Sequence, residues 1–395
     1  MKKVAIIGAG ASGLMCAIEC AKNSCSVDLY EQNEKIGKKI LVSGNGRCNI
    51  TNTNISTHDY FSQNPDFAKN AFERFNYKEF EKFCNSMGLV LDEKDDGKVY
   101  PLSNEAKSVV ALLTQQAKNS GVNVITQHKV KNLKELSETY DAVVIATGSE
   151  AASHLGGCSD GLEFAKSISH NIIPTYPSLV QLELSSSVHA KMSGAKVDGE
   201  VTLVVNNQKS SSSNGDILFT TYGVSGFSIL DISREASEAM LNYSCVDVVL
   251  NLLPKFSHQK LSNHLNTLSK SNPTSSTLNA LHALLPLKIA KTILDVLSIA
   301  QETKLNSLNM KDFKKISNQC LNWKFEVSST HGFRHAEVAG GGVDTTEIDP
   351  KTMESKKQKN IYFTGEVLDI VGRRGGFNFA WAWASGYVAA KDIIK

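Results

Sequence analysis

The sequence predicts an α/β fold in which a parallel-sheet domain is built from both ends of the chain, with an antiparallel β domain and a helical insertion between them. Three observations support this prediction: a glycine-rich strand-turn-helix pattern at the start, a second one near the end, and short alternating apolar runs in the middle. With 395 residues, the chain is long enough for about two or three domains.

The first pattern occupies residues 3–31. An apolar run ends in Gly8, Gly10 and Gly13, and a second short run ends at Glu31. Glycines at this spacing let a strand turn into a helix whose N-terminal N–H groups hold a pyrophosphate. An acidic residue after the second strand accepts hydrogen bonds from a ribose that lacks a 2′-phosphate. The pattern predicts a site for an ADP half, which FAD and NAD share.

Further elements extend this domain. Helical periodicity is predicted over 66–87 and 103–120, and β-rich runs at 122–126 and 141–146 add strands to the parallel sheet. Between them, residues 38–52 are rich in glycine, asparagine and serine, so we expect a long loop that faces a ligand.

The sequence pattern changes near residue 171, where short alternating runs of apolar residues begin. Residues 206–215 are polar, and the serines at 210–213 are expected at an exposed hairpin tip. Residues 255–318 carry apolar side chains at helical spacing, which predicts a helical insertion. Alternating runs predict an antiparallel sheet or barrel with strands at 179–184, 200–205 and 245–250.

The second ligand-binding pattern lies near the end of the chain. A strand ending in Gly365-Glu366 precedes the glycine-rich turn 372–378 and a helix from about residue 379 to 394. Two such sites imply a discontinuous domain around an extended dinucleotide. FAD is long enough to need both, whereas one Rossmann domain usually serves NAD. No second glycine fingerprint follows a strand, so NADH or NADPH is expected only as a transient reductant.

The predicted boundaries follow from these patterns. They are 1–165 for the first part of the FAD-binding domain, 166–253 for the first part of the β substrate domain, 254–320 for the helical insertion, 321–342 for the second part of the β domain and 343–395 for the second part of the FAD-binding domain.

Composition limits the cellular setting, the cofactors and the partners that the protein can have. The eight cysteines include no Cys-x-x-Cys pair and no zinc spacing, so we predict a reduced, cytoplasmic setting, no metal and no thiol-disulfide reductase activity. No run is apolar enough for a membrane span, so no membrane association is predicted. Residues 251–320 carry nine lysines and three acidic residues. This charge suits an acidic partner such as RNA, or else a solvated helical face.

At the level of short motifs, the chain resembles the YhiN-like (BaiN-like) bacterial flavoproteins, which include ribosomal RNA dihydrouridine synthase-type members. The resemblance runs almost end to end, and the Ser-Gly-Asn-Gly-Arg-Cys-Asn and Thr-Met-Glu-Ser-Lys segments are its most specific parts. The matching segments are Val4–Gly13, Gly37–Asn49, Val99–Pro101, Leu218–Gly226, Ala339–Val343, Thr352–Lys356 and Gly365–Asn378.

The resemblance implies a three-part architecture and a cytosolic NAD(P)H-consuming enzyme. Members have been associated with reduction of activated C=C bonds, in bile-acid enones and in uracil of ribosomal RNA, and some are labelled aminoacetone oxidases. This sequence departs from the family pattern at Thr221, Phe227, Phe377 and Ala380, where His, Pro, Tyr and Gln are often found. A role that needs an imidazole at 221 or a phenol at 377 does not carry over.

Cofactor contacts are predicted from the glycine turns, the adjoining strand ends and the matching loop. The amides of Ala11 and Ser12 are expected on the pyrophosphate, Lys39 near phosphate charge or else on the surface, and the Val130 backbone, by resemblance, on adenine. The full set is Gly8, Gly10, Ala11, Ser12, Gly13, Glu31, Gln32, Lys39, Gly44, Arg47, Cys48, Asn49, Val130, Ala146, Thr147, Gly148, Gly365, Glu366, Gly375, Gly376, Phe377 and Asn378.

Cys48 is the predicted proton donor, because hydride addition to an enone carbon leaves an enolate that a thiol can protonate. Arg47 beside it is predicted to lower the thiol pKa. The alternative is that their loop only shapes the flavin site. His331 and His335 are expected in a loop of the substrate domain, with one useful histidine or a structural role, and Trp381 and Trp383 are expected to pack.

The leading functional hypothesis is an FAD-dependent NAD(P)H oxidoreductase that reduces an activated C=C bond, with uracil of ribosomal RNA as the favoured substrate. The basic segment favours RNA. A small-molecule ene-reductase or amine oxidase is one alternative, and a non-catalytic flavin-binding scaffold is another. The oligomeric state and the choice between NADH and NADPH are not readable from these patterns.

Overall fold

The computed structural model describes residues 1–395. The strands are β1 (Lys3–Ile7), β2 (Ser26–Tyr30), β3 (Thr51–Asn52), β4 (Tyr60–Phe61), β5 (Leu91–Glu93), β6 (Lys98–Pro101), β7 (Asn123–Ile125), β8 (Ala142–Ile145), β9 (Ile172–Ser178), β10 (Leu182–Leu184), β11 (Lys196–Val205), β12 (Gln208–Phe219), β13 (Gly223–Ser225), β14 (Val246–Asn251), β15 (Trp323–Thr330), β16 (Val338–Val343), β17 (Ile361–Phe363) and β18 (Val371–Gly372).

The helices are α1 (Ala11–Lys22), α2 (Lys38–Val42), α3 (Lys69–Arg74), α4 (Tyr77–Ser86), α5 (Ala106–Asn119), α6 (Leu133–Thr139), α7 (Asp160–Ser167), α8 (Phe227–Leu241), α9 (His258–Ser271), α10 (Thr277–His282), α11 (Leu287–Val296), α12 (Met310–Leu321) and α13 (Phe377–Ile393). None of these helices combines the length and the apolar character that crossing a bilayer requires.

The chain divides into two compact units. The first contains Met1–Tyr176 and Glu337–Lys395, and the second contains Pro177–Ala336. The divisions fall at 176 and 337 rather than at the predicted 165 and 343, because β9 pairs with β16 and both strands extend the first unit. The barrel strands and the helices of residues 254–320 belong to one unit.

The first unit is built on a five-stranded parallel sheet with the order β17-β8-β1-β2-β7. This is the doubly wound arrangement that the two glycine-rich patterns predict, and the α/β class is confirmed. Ile7 is in register with Tyr30 on one side and with Ile145 on the other. The residues that follow these strands therefore meet at one edge of the sheet, on both sides of the point where the strand order reverses.

The second unit contains a closed six-stranded barrel in the order β10-β13-β12-β11-β14-β15. Alternate side chains, such as Leu182, Leu203, Ile217 and Phe325, fill its buried core. Helices α9 to α12 lie between β14 and β15 in the chain, and Ser262 of α9 and Ser317 of α12 share a buried hydrogen bond of 2.9 Å between their hydroxyls.

The predicted hairpin tip at 210–213 is wrong. These serines lie within β12, where Ser211–Ser213 pair with β11 and Ser210 lies at a shift in the register. The turn is the dipeptide Asn206-Asn207, with φ of 49° and 64°. Two left-handed residues form the tight turn that suits a twisted hairpin, and asparagine tolerates this conformation. The cross-strand pairing with β11 outweighs the low strand propensity of the serine run.

His170 is completely buried in the first unit, between two partners that fix its protonation. The Ser355 hydroxyl oxygen accepts from the N–H groups of Lys357 and Gln358, so its proton is donated to His170 Nε2, at 2.7 Å. His170 Nδ1 then donates to Glu347 Oε2, at 3.1 Å. Burial lowers the pKa of His170 below its ordinary value of 6.5 despite this carboxylate. The folded protein therefore holds a neutral imidazole.

A neutral buried histidine makes stability depend on pH. Because the unfolded chain binds the proton more readily, His170 contributes its full stabilisation above pH 6.5, and the contribution decreases as the pH falls. We expect wild type to lose more unfolding free energy than His170→Gln when urea titrations are compared at about pH 7.5 and about pH 5.5. Equal losses in the two proteins would contradict a neutral His170.

Candidate functional site

The turn between β1 and α1 uses its three glycines in different ways. Gly8 has a φ of +105°, and a Cβ on it would overlap the carbonyl oxygen of Ala146. A Cβ on Gly13 would overlap the carbonyl oxygen of Gly8. By contrast, a Cβ on Gly10 would meet no atom within 4 Å. The protein's own backbone requires Gly8 and Gly13, whereas the space beside Gly10 is open to a ligand.

The first turn of α1 offers backbone donors beside that space. Gly10 is the N-cap residue and provides no side-chain cap. The N–H groups of Ala11 and Ser12 are among the first of the helix, and these have no partner within it. Both residues are placed as the sequence predicts, at a helix N-terminus where an anion is stabilised.

Glu31 is buried at the end of β2 and is held in place by neighbouring amides. Its Oε2 accepts from the N–H of Ala9 at 3.1 Å, and its Oε1 accepts from the backbone and side-chain amides of Asn33 at 2.8 and 2.7 Å. These bonds fix the carboxylate against the glycine turn, of which Ala9 is a part. Gln32 points elsewhere and donates to the carbonyl oxygen of Gly156 at 2.8 Å.

The segment after β7 runs beside Glu31. The N–H of His128 donates to the carbonyl oxygen of Glu31 at 2.9 Å, and the N–H of Gln127 donates to that of Asn33 at 3.0 Å. Val130 is buried two residues further on. The predicted adenine contact and the predicted ribose carboxylate therefore lie on adjoining segments.

The second strand-turn site meets the first at the same sheet edge. A Cβ on Gly148 would lie 3.9 Å from Glu366 Oε2, which itself accepts from Lys39 Nζ at 2.8 Å. Glu366 Oε1 accepts from the N–H of Ala339 at 2.8 Å. The hydroxyl of Thr147 is buried and has no hydrogen-bond partner. The structure thus brings Lys39, residues 146–148 and Glu366 together, with Lys39 paired to a carboxylate.

Residues 43–49 form a loop with an unusual backbone. Gly44, Asn45, Gly46 and Cys48 all have φ between 56° and 82°. The side chain of Cys48 is fully buried, and burial raises the pKa of its thiol to about 11. A left-handed non-glycine residue costs about 1–3 kcal/mol, so the packing of Cys48 must hold the loop in this shape.

This placement corrects the prediction that Arg47 lowers the pKa of Cys48. Arg47 is exposed, donates from Nε to the Gly44 carbonyl oxygen at 3.3 Å and lies over the ring of Tyr100, 5.5 Å from its centroid. The role of Cys48 and Arg47 in proton donation stays a prediction, and the Cys48 side chain packs in the buried core of the first unit.

The loop packs against the glycine-rich turn before α13. A Cβ on Gly376 would overlap the carbonyl oxygen of Thr51, and it would lie 2.9 Å from Asn49 Oδ1, an acceptor that is buried without a partner. Asn52 Nδ2 donates to the carbonyl oxygen of Gly375 at 2.9 Å. Distant segments of the sequence thus form one site, in which an acceptor is left unpaired.

Asn378 and Phe377 have structural contacts in this turn. The amide of Asn378 both accepts from the N–H of Gly372 and donates to its carbonyl oxygen, each at 2.8 Å. Phe377 is buried, and its carbonyl oxygen accepts from the Tyr60 hydroxyl at 2.9 Å. Because both side chains are engaged within the protein, a cofactor would contact these two residues through their backbone atoms.

Helix α13 holds both loops in place through contacts that sequence reasoning missed. The indole N–H of Trp381 donates to the carbonyl oxygen of Gly365 at 3.0 Å, and the Gly365 N–H donates to the hydroxyl of Ser385 at 2.9 Å. The indole N–H of Trp383 donates to the carbonyl oxygen of Ile50 at 2.9 Å. Both tryptophans are buried, as expected, and they also fix the backbone beside predicted cofactor contacts.

These residues fit FAD. The open space at Gly10 with helix N–H groups beside it suits a pyrophosphate, and the fixed carboxylate of Glu31 suits a ribose. The buried Asn49 Oδ1, which has no partner, offers a further hydrogen bond to a polar cofactor. His331 and His335 belong to the second unit, in a non-helical segment, and their ring centroids are 4.1 Å apart. No group of three or more His, Cys, Asp or Glu side chains is placed to hold a metal.

Comparison with known proteins gives matches over almost the whole chain. The family model described as HI0933-like protein Rossmann domain matches residues 2–392. A 3-dehydro-bile acid delta(4,6)-reductase of Clostridium scindens is 33% identical, with 100% of both chains covered. The ribosomal RNA dihydrouridine synthase of Escherichia coli is 32% identical over 98% of this chain and 97% of that protein. The ribosomal RNA dihydrouridine synthase of Haemophilus influenzae is 31% identical over 99% of this chain and 98% of that protein.

Proposed function

Because this chain belongs to the HI0933-like family of Rossmann-type flavin oxidoreductases, we propose that it uses FAD, reduced by NADH or NADPH, to reduce a C=C bond conjugated to a carbonyl group. The proposal is carried by the names of the full-length relatives, which describe two different substrates. One is named for reducing a bile acid and the others for making dihydrouridine in ribosomal RNA. Both names describe hydrogenation of a double bond.

The chain's own residues would bind the cofactor at both ends. The α1 N-terminus beside Gly10 would hold the pyrophosphate, Glu31 the ribose of the ADP half, and the turns at Gly365-Glu366 and Gly375–Asn378 the flavin half. When bound, reduced FAD supplies a hydride. The N-terminus of α13, at Phe377, would stabilise negative charge nearby. The protein must then bind the acceptor, orient its double bond and deliver a proton.

Uracil in ribosomal RNA is the favoured acceptor, and the basic helical insertion supports it. All nine lysines of residues 251–320 are exposed. Of the three acidic residues in this segment, Asp295 pairs with Lys191, which lies outside it. A surface of unneutralised lysines attracts a phosphate backbone. An enzyme that modifies ribosomal RNA would act in the cytoplasm.

Lys311, Lys314 and Lys315 on α12 give this proposal a direct test. We expect the triple Lys→Glu variant to bind a ribosomal RNA fragment more weakly, with the slope of log affinity against log salt reduced by about 2. The matched control is the triple Lys→Glu variant at Lys107, Lys118 and Lys131, which are exposed in the first unit. Equal binding by both variants would assign the α12 lysines to a solvated face.

A small-molecule enone is the second candidate acceptor. It is favoured by the bile-acid reductase, which is 33% identical over the full length of both chains. This candidate predicts turnover of a free enone without RNA and no effect of the α12 variant on that rate. An amine oxidase would instead have its flavin reduced by an amine, and a flavin-binding scaffold would be reduced by neither nicotinamide.

The deciding experiment compares ribosomal RNA from cells with and without this gene. Loss of dihydrouridine in the deletion strain, restored by the wild-type gene but not by a Gly10→Val gene, supports RNA reduction. Unchanged RNA, together with NADPH- or NADH-dependent reduction of 2-cyclohexenone by the purified holoenzyme, supports the small-molecule reductase. Absence of both reactions rejects C=C reduction as the function.

A further inference from the structure

A small three-stranded sheet in the first unit borders both loops that are predicted to contact the flavin. Its strand order is β3-β6-β5. Lys98 of β6 is in register with Asn52 of β3, and Asn52 Nδ2 donates to the carbonyl oxygen of Gly375 at 2.9 Å. A Cβ on Gly375 would lie 3.5 Å from Lys98 Cε. One end of β6 therefore lies against the glycine-rich turn before α13.

Tyr100 lies further along β6, on the same face as Lys98, because side chains two residues apart in a strand share a face. Its two neighbours in the chain are Val99, which is buried, and Pro101, which is also buried, whereas Tyr100 and Lys98 are partly exposed. A Cβ on Gly44 would lie 3.7 Å from Tyr100 Cε1. The strand thus presents one partly exposed ring beside the glycine-rich loop that contains Gly44.

The guanidinium of Arg47 lies over this ring. Its Cζ is 5.5 Å from the centroid of Tyr100, and its Nε donates to the carbonyl oxygen of Gly44 at 3.3 Å. Arg47 is exposed, and neither contact involves a carboxylate, so its charge is not neutralised by them. Because these contacts use only Nε and one face of the guanidinium, its terminal N–H groups are available to a phosphate.

The acidic turn between β5 and β6 limits the kind of anion that this face can bind. Four carboxylates lie in and beside this turn: Asp92, Glu93, Asp95 and Asp96. Two lysines are neutralised there, because Lys94 pairs with Asp92 and Lys98 pairs with Asp96. A long phosphate backbone would be repelled by the surplus carboxylates, whereas a compact ligand with one pyrophosphate needs only a single guanidinium.

We propose that Arg47 and Tyr100 bind the nicotinamide dinucleotide that reduces the flavin. The Arg47 guanidinium would hold its pyrophosphate, and one of its planar rings would stack on the Arg47–Tyr100 pair. This inference rests on the proposed function. A dinucleotide carries both groups that this face can recognise, a phosphate and a planar ring, because bases stack on aromatic rings and on guanidinium planes. A free enone carries no phosphate.

The position of this face suits a coenzyme that has to meet the flavin. Lys98 and Tyr100 border the Gly375 turn and the Gly44 loop, which are both predicted to contact the cofactor, and all of these residues belong to the first unit. The chain has no second glycine fingerprint for a nicotinamide-binding Rossmann domain. A shallow face with one guanidinium and one ring is instead sufficient for a ligand that binds only transiently.

Binding of ADP-ribose, an unreactive part of the coenzyme, to the holoenzyme tests this site without turnover. In the holoenzyme, FAD already fills the predicted site for an ADP half. We expect Arg47→Gln, with its FAD content matched to wild type by visible absorbance, to bind ADP-ribose about 10-fold more weakly or worse in calorimetric titrations. Salt should weaken binding to wild type more than to this variant. Arg74→Gln, which changes an exposed arginine on α3, is the matched control and should bind as wild type does.

Stopped-flow reduction of the flavin by NADH or NADPH separates coenzyme binding from hydride transfer. Arg47→Gln should raise the dissociation constant of the coenzyme about 10-fold, with a smaller effect on the limiting rate at saturation. Tyr100→Leu, which removes the ring, should raise this constant more than Tyr100→Phe, which keeps it. A merely structural role of these two residues would lower the FAD content or the limiting rate without changing the dissociation constant.

Three results would overturn the assignment, and they differ in what they imply for the proposed function. If a nicotinamide reduces wild type, and Arg47→Gln binds the coenzyme and ADP-ribose equally well, the assignment fails while the proposed function stands. If Arg47→Gln binds a ribosomal RNA fragment more weakly but ADP-ribose normally, this face belongs to RNA instead. If neither nicotinamide reduces wild type, the reductant in the proposed function is wrong, and the assignment fails with it.

Discussion

Replacing Gly10 by valine is expected to abolish FAD binding while leaving the apoprotein folded. Gly10 has an extended backbone, with φ −85° and ψ −167°, and a Cβ there would meet no protein atom within 4 Å. The valine side chain would instead occupy the space beside the first N–H groups of α1. We expect FAD affinity to fall at least about 100-fold, equivalent to about 2.7 kcal/mol. Titration of the apoprotein with FAD measures this loss.

The folded state should hardly change in this variant. Valine is a poor N-cap residue, so a loss of about 1 kcal/mol in unfolding free energy is expected. Gly13→Ala is the matched comparison, because its Cβ would overlap the carbonyl oxygen of Gly8 in the apoprotein. That variant should lose about 3 kcal/mol or more without any cofactor present. If Gly10→Val binds FAD normally, the pyrophosphate does not lie at this turn.

The sequence was sufficient for features that depend on local patterns. Gly8, Gly10 and Gly13 at a fixed spacing, followed by Glu31, define one strand-turn-helix unit, and the same logic applies to Gly365-Glu366. Hydrophobic periodicity also separated the parallel sheet from the barrel. These signals are local because a strand, a helix and the turn that joins them all lie within about 30 residues of sequence.

Contacts between distant segments were not predictable in the same way. The proximity of Arg47 to Cys48 in sequence suggested a lowered thiol pKa, but the left-handed backbone of the loop buries one side chain and exposes the other. Similarly, nothing local in the sequence pairs Glu183 with His331, which are neighbours only because the barrel register aligns β10 with β15. Contacts between residues on different strands can be predicted only when the pairing register of those strands is known.

The contacts of α13 illustrate the same limit and lead to the second large effect. Tryptophans in an apolar helix predict packing, and Trp381 does pack against Phe67 and Phe72. Its indole N–H also fixes the carbonyl oxygen of Gly365, more than 15 residues away, while Ser385 fixes the Gly365 N–H. The peptide groups on both sides of a predicted flavin contact are therefore held by one helix.

Trp381→Phe should lower both the stability of the protein and its affinity for FAD. The smaller ring leaves a cavity and an unpaired buried carbonyl oxygen at Gly365, which together cost about 2–4 kcal/mol of unfolding free energy in urea titrations. Because Gly365 is then free to move, we expect FAD to bind about 10-fold more weakly or worse, equivalent to about 1.4 kcal/mol.

Phe67→Leu separates the hydrogen bond from the packing. Phe67 is buried and contacts the Trp381 ring edge to face at 6.0 Å, but it makes no hydrogen bond to Gly365. Its loss should lower stability by about 1 kcal/mol or more, with little change in FAD affinity. If both variants lose FAD affinity in proportion to stability, α13 supports the site only through the general rigidity of the fold. If only Trp381→Phe loses affinity, the indole N–H on Gly365 is what keeps the second cofactor turn in its binding conformation.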